Sequence, residues 1–147
     1  MLSKTTQYAI RALVAVELNS RKGQRSGFKT IAREIDVPEQ YVAKIMQTLT
    51  RFNLLKSVRG RGGGFSITDN NRQDIFLYDI VSIMEGKTFF TRCGFGFKHC
   101  DANNPCPLHN EYEPIREAFT QLLKKETIRS LATKIEKGEA VLSRLSV

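Results

Sequence analysis

Residues 39–68 read EQYVAKIMQTLTRFNLLKSVRGRGGGFSIT, and this stretch decides the fold. Its first half places apolar side chains at Val42, Ile45, Met46 and Leu49, the i, i+3, i+4, i+7 spacing of one helix face. The opposite face carries Gln40, Ala43, Lys44, Gln47 and Arg51, with no acid after Glu39. An amphipathic helix is therefore predicted over 39–52. The second half predicts two short strands, 55–58 and 65–68. Gly60, Gly62, Gly63 and Gly64 make the tip between them, flanked by Arg59 and Arg61. Glycine supplies the positive φ that a tight hairpin needs. A phosphate-cradling loop does not fit these glycines. Walker A ends in Gly-Lys-Ser/Thr, and the dinucleotide fingerprint needs glycine where Phe65 stands.

Upstream, a short helix is predicted from about Thr30, with Ile31, Ala32 and Ile35 facing inward. Val37-Pro38 ends it, because proline breaks the hydrogen-bond ladder and pushes its predecessor toward extended geometry. Two helices joined by a short turn, then a glycine–arginine hairpin, make a winged helix-turn-helix. Residues 3–19 predict a helix capped by Ser3, with Tyr8, Ala9, Ala12, Leu13 and Val16 on one face. Residues 20–27 read as a polar loop and 69–74 as a turn. Leu77, Ile80, Val81 and Met84 mark a further helix stopped by Gly86. A long helix over 111–125 holds Ile115, Ala118, Phe119 and Leu122 in register. Thr127 caps a last helix carrying Ile128, Leu131 and Ile135, which Gly138 ends. The fold class is mainly α with a small β-hairpin. Residues 1–86 form the winged helix-turn-helix DNA-binding domain, 87–110 a cysteine-rich loop, and 111–147 the long helix and C-terminal helix.

The 147 residues suit one compact domain, and the hydrophobic fraction of 41% is ordinary. No run approaches the roughly 18 apolar residues of a membrane span. The N-terminal segment lacks the pattern of a secretory signal. A cytoplasmic protein with no membrane partner is expected. The net charge of +8 favours a polyanionic partner. Gln40, Tyr41 and Lys44 open the second helix, where a helix-turn-helix meets base edges. Gln pairs with adenine and Lys with guanine. Tyr41 reads equally as a partly buried anchor between helices. Arg59 and Arg61 sit where a wing reaches the minor groove or flanking phosphates. Thr30, Arg51 and Lys56 are candidate phosphate contacts, which supply affinity rather than sequence preference. A solvated basic face is the plainer alternative.

The chain's three cysteines all fall in Cys93-GFGFKH-Cys100-DANNP-Cys106, and His109 follows closely. An odd number excludes a fully paired disulfide framework within one chain. Thiolates hold zinc or iron–sulphur clusters, and three thiolates plus an imidazole make a four-ligand set. The gaps are wider than a zinc knuckle and favour an iron–sulphur cluster over zinc. His109 is preferred over His99 as fourth donor. Phe89, Phe90, Phe95 and Phe97 surround the first cysteine and could exclude water, though core packing explains some of them equally. Gly94 and Gly96 let the backbone turn closely around an inorganic core. A thiol switch is a third reading, requiring Cα atoms within about 7 Å. An enzymatic nucleophile has little support: no acid is placed to orient His109, and no substrate pocket is readable.

The opening QYAIRAL, the wing VRGRGGGF, the helix around Leu77–Gly86 and the Cys…Cys…Cys-x₂-His loop together resemble the Rrf-two family of bacterial winged-helix regulators. That family includes IscR-like cluster-sensing regulators, nitric-oxide-sensing repressors and cluster-free repressors of cysteine metabolism. The resemblance implies a homodimer joined through the helix near 111–125. It implies a pseudo-palindromic double-stranded DNA operator, with half-sites about 34–36 Å apart or a multiple of that. It also implies a [2Fe–2S] or [4Fe–4S] cluster on Cys93, Cys100 and Cys106, with [2Fe–2S] favoured. His109 matches the histidine that completes the set in IscR-like members. Gln7 matches the position where nitric-oxide-sensing members offer a carboxylate. Two features depart from IscR-like members. The first cysteine gap is one residue longer, and Ala43 and Lys44 replace an acid and an amide. The expected function is a sequence-specific transcription repressor whose DNA affinity is set by a cluster sensing cluster supply, redox state or nitric oxide. The alternative is a cluster-free or zinc-containing regulator with a thiol switch.

Overall fold

The computed structural model describes residues 1–67 and 74–144. The order of elements is α1 (Lys4–Arg21), α2 (Phe28–Ile35), α3 (Glu39–Arg51), β1 (Leu55–Val58), β2 (Gly64–Ile67), α4 (Leu77–Glu85), a 3₁₀ helix (Lys87–Thr91), α5 (His109–Lys125) and α6 (Ile128–Glu136). Among the described residues this is a helical body with one two-stranded antiparallel hairpin, the expected fold class. The expected turn at 69–74 falls outside the described residues except for Asp74, and so does Thr68.

α1 starts at the Ser3 cap, whose hydroxyl accepts from the Thr6 N–H at 3.2 Å. Ala9, Ala12, Leu13 and Val16 are buried, as their spacing predicts, while Tyr8 is half-buried. α2 starts two residues earlier than predicted. Gly27, in extended geometry, caps it without a side chain, so no polar N-cap marks the true start. Asp36 turns left-handed after α2, at φ 57°, and Pro38 then opens α3. The apolar face of α3, Val42, Ile45, Met46 and Leu49, is fully in the core. Alanine at Leu49 would cost about 2–5 kcal/mol on this account.

The hairpin pairs Leu55 with Ile67 and Val58 with Gly64, with Gly60 and Gly62 at positive φ in its tip. Its second strand begins one residue earlier than predicted and takes a further partner. Phe65 N–H donates to Ser26 O at 2.9 Å, so the supposed polar loop supplies a one-residue bridge. Gly64 lies against that bridge. A Cβ there would stand 2.8 Å from the Ser26 backbone, at φ +132°. The buried Asn19 reinforces the junction, its amide donating to Ser26 Oγ at 2.8 Å and to Glu34 Oε2 at 3.1 Å. α1, α2 and the base of the wing are thereby joined through one side chain.

The C-terminal elements return to the N-terminal core. Thr127 caps α6, accepting from Ser130 N–H at 2.9 Å. Leu77 N–H donates to Glu126 O at 3.0 Å and Ile128 N–H to Ile75 O at 2.9 Å, which ties the start of α4 to the α5–α6 junction. Leu123, Ile128 and Ala132 are buried with α1 and α4. α5 corrects the sequence reading twice. It begins at His109 rather than Glu111. Its buried positions include Thr120 and Leu123, whereas Ile115 and Leu122, placed in register by their spacing, are 60% and 49% exposed. No helix among the described residues is long and apolar enough to cross a membrane.

Candidate metal centre and nucleic-acid interface

Gln40 and Tyr41 occupy the first turn of α3, with Lys44 one turn further along, and all three are exposed. Tyr41 is 55% exposed, so it is not the buried anchor that one reading of the sequence allowed. Arg51 ends α3 with its guanidinium 5.7 Å from the Phe52 ring centroid. Lys56 is exposed on β1, and Arg59 and Arg61 are exposed at the hairpin tip. Thr30 is half-buried within α2. These exposed cations, Lys44, Arg51, Lys56, Arg59 and Arg61, lie on α3 and on the hairpin it leads into. Apolar residues of α3 hold that helix to the core, leaving its polar face outward.

The cysteine loop brings its donors together in two pairs. Cys93 Sγ lies 3.6 Å from Cys106 Sγ, and Cys100 Sγ lies 3.3 Å from His109 Nδ1. Among the described residues no three His, Cys, Asp or Glu side chains gather closely enough to hold one metal ion. All three thiols are half-buried and unbridged, while His109 is only 7% exposed. Burial pushes the Cys93 thiol up, but the backbone N–H groups of Phe95, Phe97 and Gly96 and the Cys106 thiol outweigh it. The net effect holds Cys93 below the ordinary thiol value, which favours thiolate. Cys93 and Cys100 line a cleft of about 570 Å³ that is also lined by Arg92, Phe97, Lys98 and His99.

Several contacts fix the loop on α5. Arg116 Nη1 donates to Arg92 O at 2.8 Å. Gly94 lies flat on Tyr112, where an added Cβ would meet the ring at 2.5 Å. This glycine is therefore needed for close approach to a neighbouring helix. Phe89 and Phe90 pack with Phe119 and Tyr78. Phe95 and Phe97, by contrast, are about half exposed and meet edge to face, 5.3 Å between centroids, so neither ring is packed into the core. Gln7 is exposed, its amide donating to Leu2 O at 2.9 Å.

Sequence reasoning missed one neighbour of the candidate centre. Glu113 Oε2 lies 2.8 Å from His109 Nε2, so an acid does orient this histidine. The i, i+4 spacing was visible, but it carries meaning only once the helix is known to start at His109.

A model of the Rrf2 family, described as iron-dependent transcriptional regulator, matches residues 2–134. The chain belongs to the Rrf2 family. It is thus a helix-turn-helix transcriptional regulator. This Rrf2 chain is 34% identical over 131 residues to protein aau3 of Rhizobium meliloti (strain 1021), covering 88% of this chain and 83% of that one. Its fold is similar to CymR, the global cysteine regulator of B. subtilis, with TM-score 0.72, 21% identity and 90% and 96% of the two chains covered. T. potens IscR is also similar, with TM-score 0.70, 22% identity and 96% and 92% covered. These two likenesses establish the winged-helix Rrf2 architecture.

Proposed function

We propose that this Rrf2 regulator is a dimeric repressor whose operator affinity is set by an iron–sulphur cluster on Cys93, Cys100, Cys106 and His109. The observation that carries the reading is the pairing of the donors. Metal–sulphur bonds of about 2.3 Å at a tetrahedral angle put two ligands roughly 3.8 Å apart. Cys93 and Cys106, at 3.6 Å, stand close to that spacing. Cys100 and His109, at 3.3 Å, are close to what a sulphur and a nitrogen need. A [2Fe–2S] cluster wants two protein donors at each of its two irons, whereas a [4Fe–4S] cube takes one donor per iron. Two tight pairs suit the former. The cluster, when bound, supplies a centre that changes charge, or is lost, in response to a redox or chemical signal.

DNA recognition falls to α3 and the wing. Gln40, Tyr41 and Lys44 read bases, Arg59 and Arg61 reach the minor groove or its phosphates, and Thr30, Arg51 and Lys56 hold phosphates. The exposed Ile115 and Leu122 of α5 meet a second copy. A path from loop to DNA-binding elements runs through Glu85 at the end of α4. Its carboxylate accepts from Ser3 N–H at 2.9 Å and Thr6 Oγ1 at 2.7 Å, at the start of α1. Regulation needs cluster-loaded and cluster-free forms to differ in operator affinity.

The first test is an absorption spectrum of protein isolated without oxygen, with iron and acid-labile sulphide assayed on the same sample. Visible bands with matched iron and sulphide support the centre, and DNA binding with and without it then tests the switch. Colourless protein that still binds DNA points to the second reading, a thiol switch. The close Cys93–Cys106 pair favours that alternative specifically, since these sulphurs need little movement to bond.

A further inference from the structure

The contact between His109 and Glu113 has a chemical direction. His109 is buried in the first turn of α5, with one ring nitrogen facing a thiol and the other facing a carboxylate. A carboxylate accepts only, so the proton of the neutral ring belongs on Nε2, which donates to Glu113. That leaves the lone pair on Nδ1, the nitrogen 3.3 Å from Cys100 Sγ. We propose that Glu113 is the positioning residue of the centre: it fixes His109 in the tautomer and rotamer that present Nδ1 as the ligating atom.

This inference rests on the cluster reading and specifies how the histidine serves it. A flip of the ring about Cβ–Cγ would put Cδ2 in place of Nδ1 toward Cys100 and Cε1 in place of Nε2 toward Glu113, so an imidazole with Nε2 unpaired has one reason fewer to keep Nδ1 where it is. The Glu113 hydrogen bond penalises the flip. It also makes the ring a better electron donor, as carboxylate partners of metal-bound histidines do. His99 lines the cleft beside Cys93 and Cys100, but it is exposed, and among the described residues no carboxylate pairs with its ring. The two histidines differ in how firmly each ring is held, and this favours His109 as the fourth donor. Glu113 itself sits on the exposed side of α5, so its substitution leaves the core intact.

The test uses full-length protein isolated without oxygen, in a His99→Ala background so that His109 is the only labelled ring. Histidine carrying ¹⁵N at Nδ1 or at Nε2 is incorporated, and the reduced protein is read by pulsed electron paramagnetic resonance. Strong coupling is expected from the Nδ1 label. Glu113→Ala should broaden or abolish that coupling, raise the midpoint potential and speed cluster loss to a chelator by about 10-fold or more. Glu113→Gln retains an oxygen that accepts from Nε2–H. It should keep the Nδ1 coupling with an intermediate potential. In a His109→Cys background Glu113→Ala should leave the potential unchanged. Strong coupling from the Nε2 label overturns the proposal, as does a Glu113→Ala protein with wild-type coupling and potential. A cluster with no histidine coupling at all overturns it while sparing the cluster reading. Absence of iron and sulphide from the parent protein defeats both.

Discussion

Gly94→Ala offers a sharp probe of how the cysteine loop is held. Gly94 is not among the residues at positive φ, so alanine is conformationally acceptable and the change tests sterics alone. The added methyl would stand 2.5 Å from Tyr112 Cγ and 2.6 and 2.7 Å from its two Cδ atoms. Contact between carbons is comfortable at about 3.5–4.0 Å. Loop and ring must therefore separate by about 1 Å. Tyr112 follows His109 by one turn of α5, so the separation falls where Cys100 meets His109. Overpacking of this size costs about 1–3 kcal/mol, or roughly 3–10 °C in Tm for a chain of this length. Thermal unfolding followed by circular dichroism, together with iron content of anaerobically isolated protein, measures both effects. Gly94→Ala should lower each. Tyr112→Ala combined with it should recover most of the iron loss, because the obstructing ring is gone. Wild-type Tm and iron in Gly94→Ala, or no recovery in the double variant, would refute the steric argument.

Operator affinity should fall steeply with salt, and Arg59→Ala should tell a phosphate-binding arginine from a base-dependent one. If each protomer's Arg59 neutralises one phosphate, its removal lowers the log–log salt slope of a dimer by about 2 and weakens all sequences alike. An arginine in the minor groove instead blunts preference at one operator position, readable by binding to a set of single-base variants. Oxidation of metal-free protein should join Cys93 to Cys106 and leave Cys100 open to alkylation. Peptide mapping that finds Cys100 in the main disulfide would contradict the described pairing. Burial pushes the Glu85 carboxyl up, but hydrogen bonds from Ser3 and Thr6 and the charge of Arg92 outweigh it, holding it below its ordinary 4.5. Its stabilising contribution is therefore complete above that value and disappears as pH falls through the lower folded value. Glu85→Gln should destabilise at neutral pH and flatten the acid limb of a Tm-against-pH curve, and an unchanged limb counts against the Ser3–Thr6–Glu85 contact.

Periodicity made α3 legible, since Val42, Ile45, Met46 and Leu49 face one way and the core accepts nothing polar there. The hairpin was legible because Gly60 and Gly62 advertise backbone that other residues avoid. Long-range pairing was not. Nothing local in SRKGQRSG announces that Ser26 will bridge to Phe65, or that Asn19 will be buried to serve it. α5 shows a subtler failure. Ile115 and Leu122 have the spacing of a buried face, yet they are exposed in the single chain. A sequence pattern marks a face as apolar without saying what it meets. For the candidate centre, residue types and order pointed to the thiols and His109. Their sorting into two pairs depends on how the loop folds over α5, which spacing cannot specify.

α1 packs more extensively against α6 than against any other described element. α1 therefore buries part of its face against an element that lies far downstream of it in the chain. A ribosome-bound nascent chain carries α1, α2 and α3 with that face uncovered until α6 has left the exit tunnel. Domains generally begin folding during synthesis, but here part of the α1 face stays open until α6 has been made. By then the cysteine loop has already emerged, so loading of the proposed cluster would compete in time with completion of the core. Early release of the chain before α6 should yield an aggregation-prone fragment rather than a constitutive DNA binder.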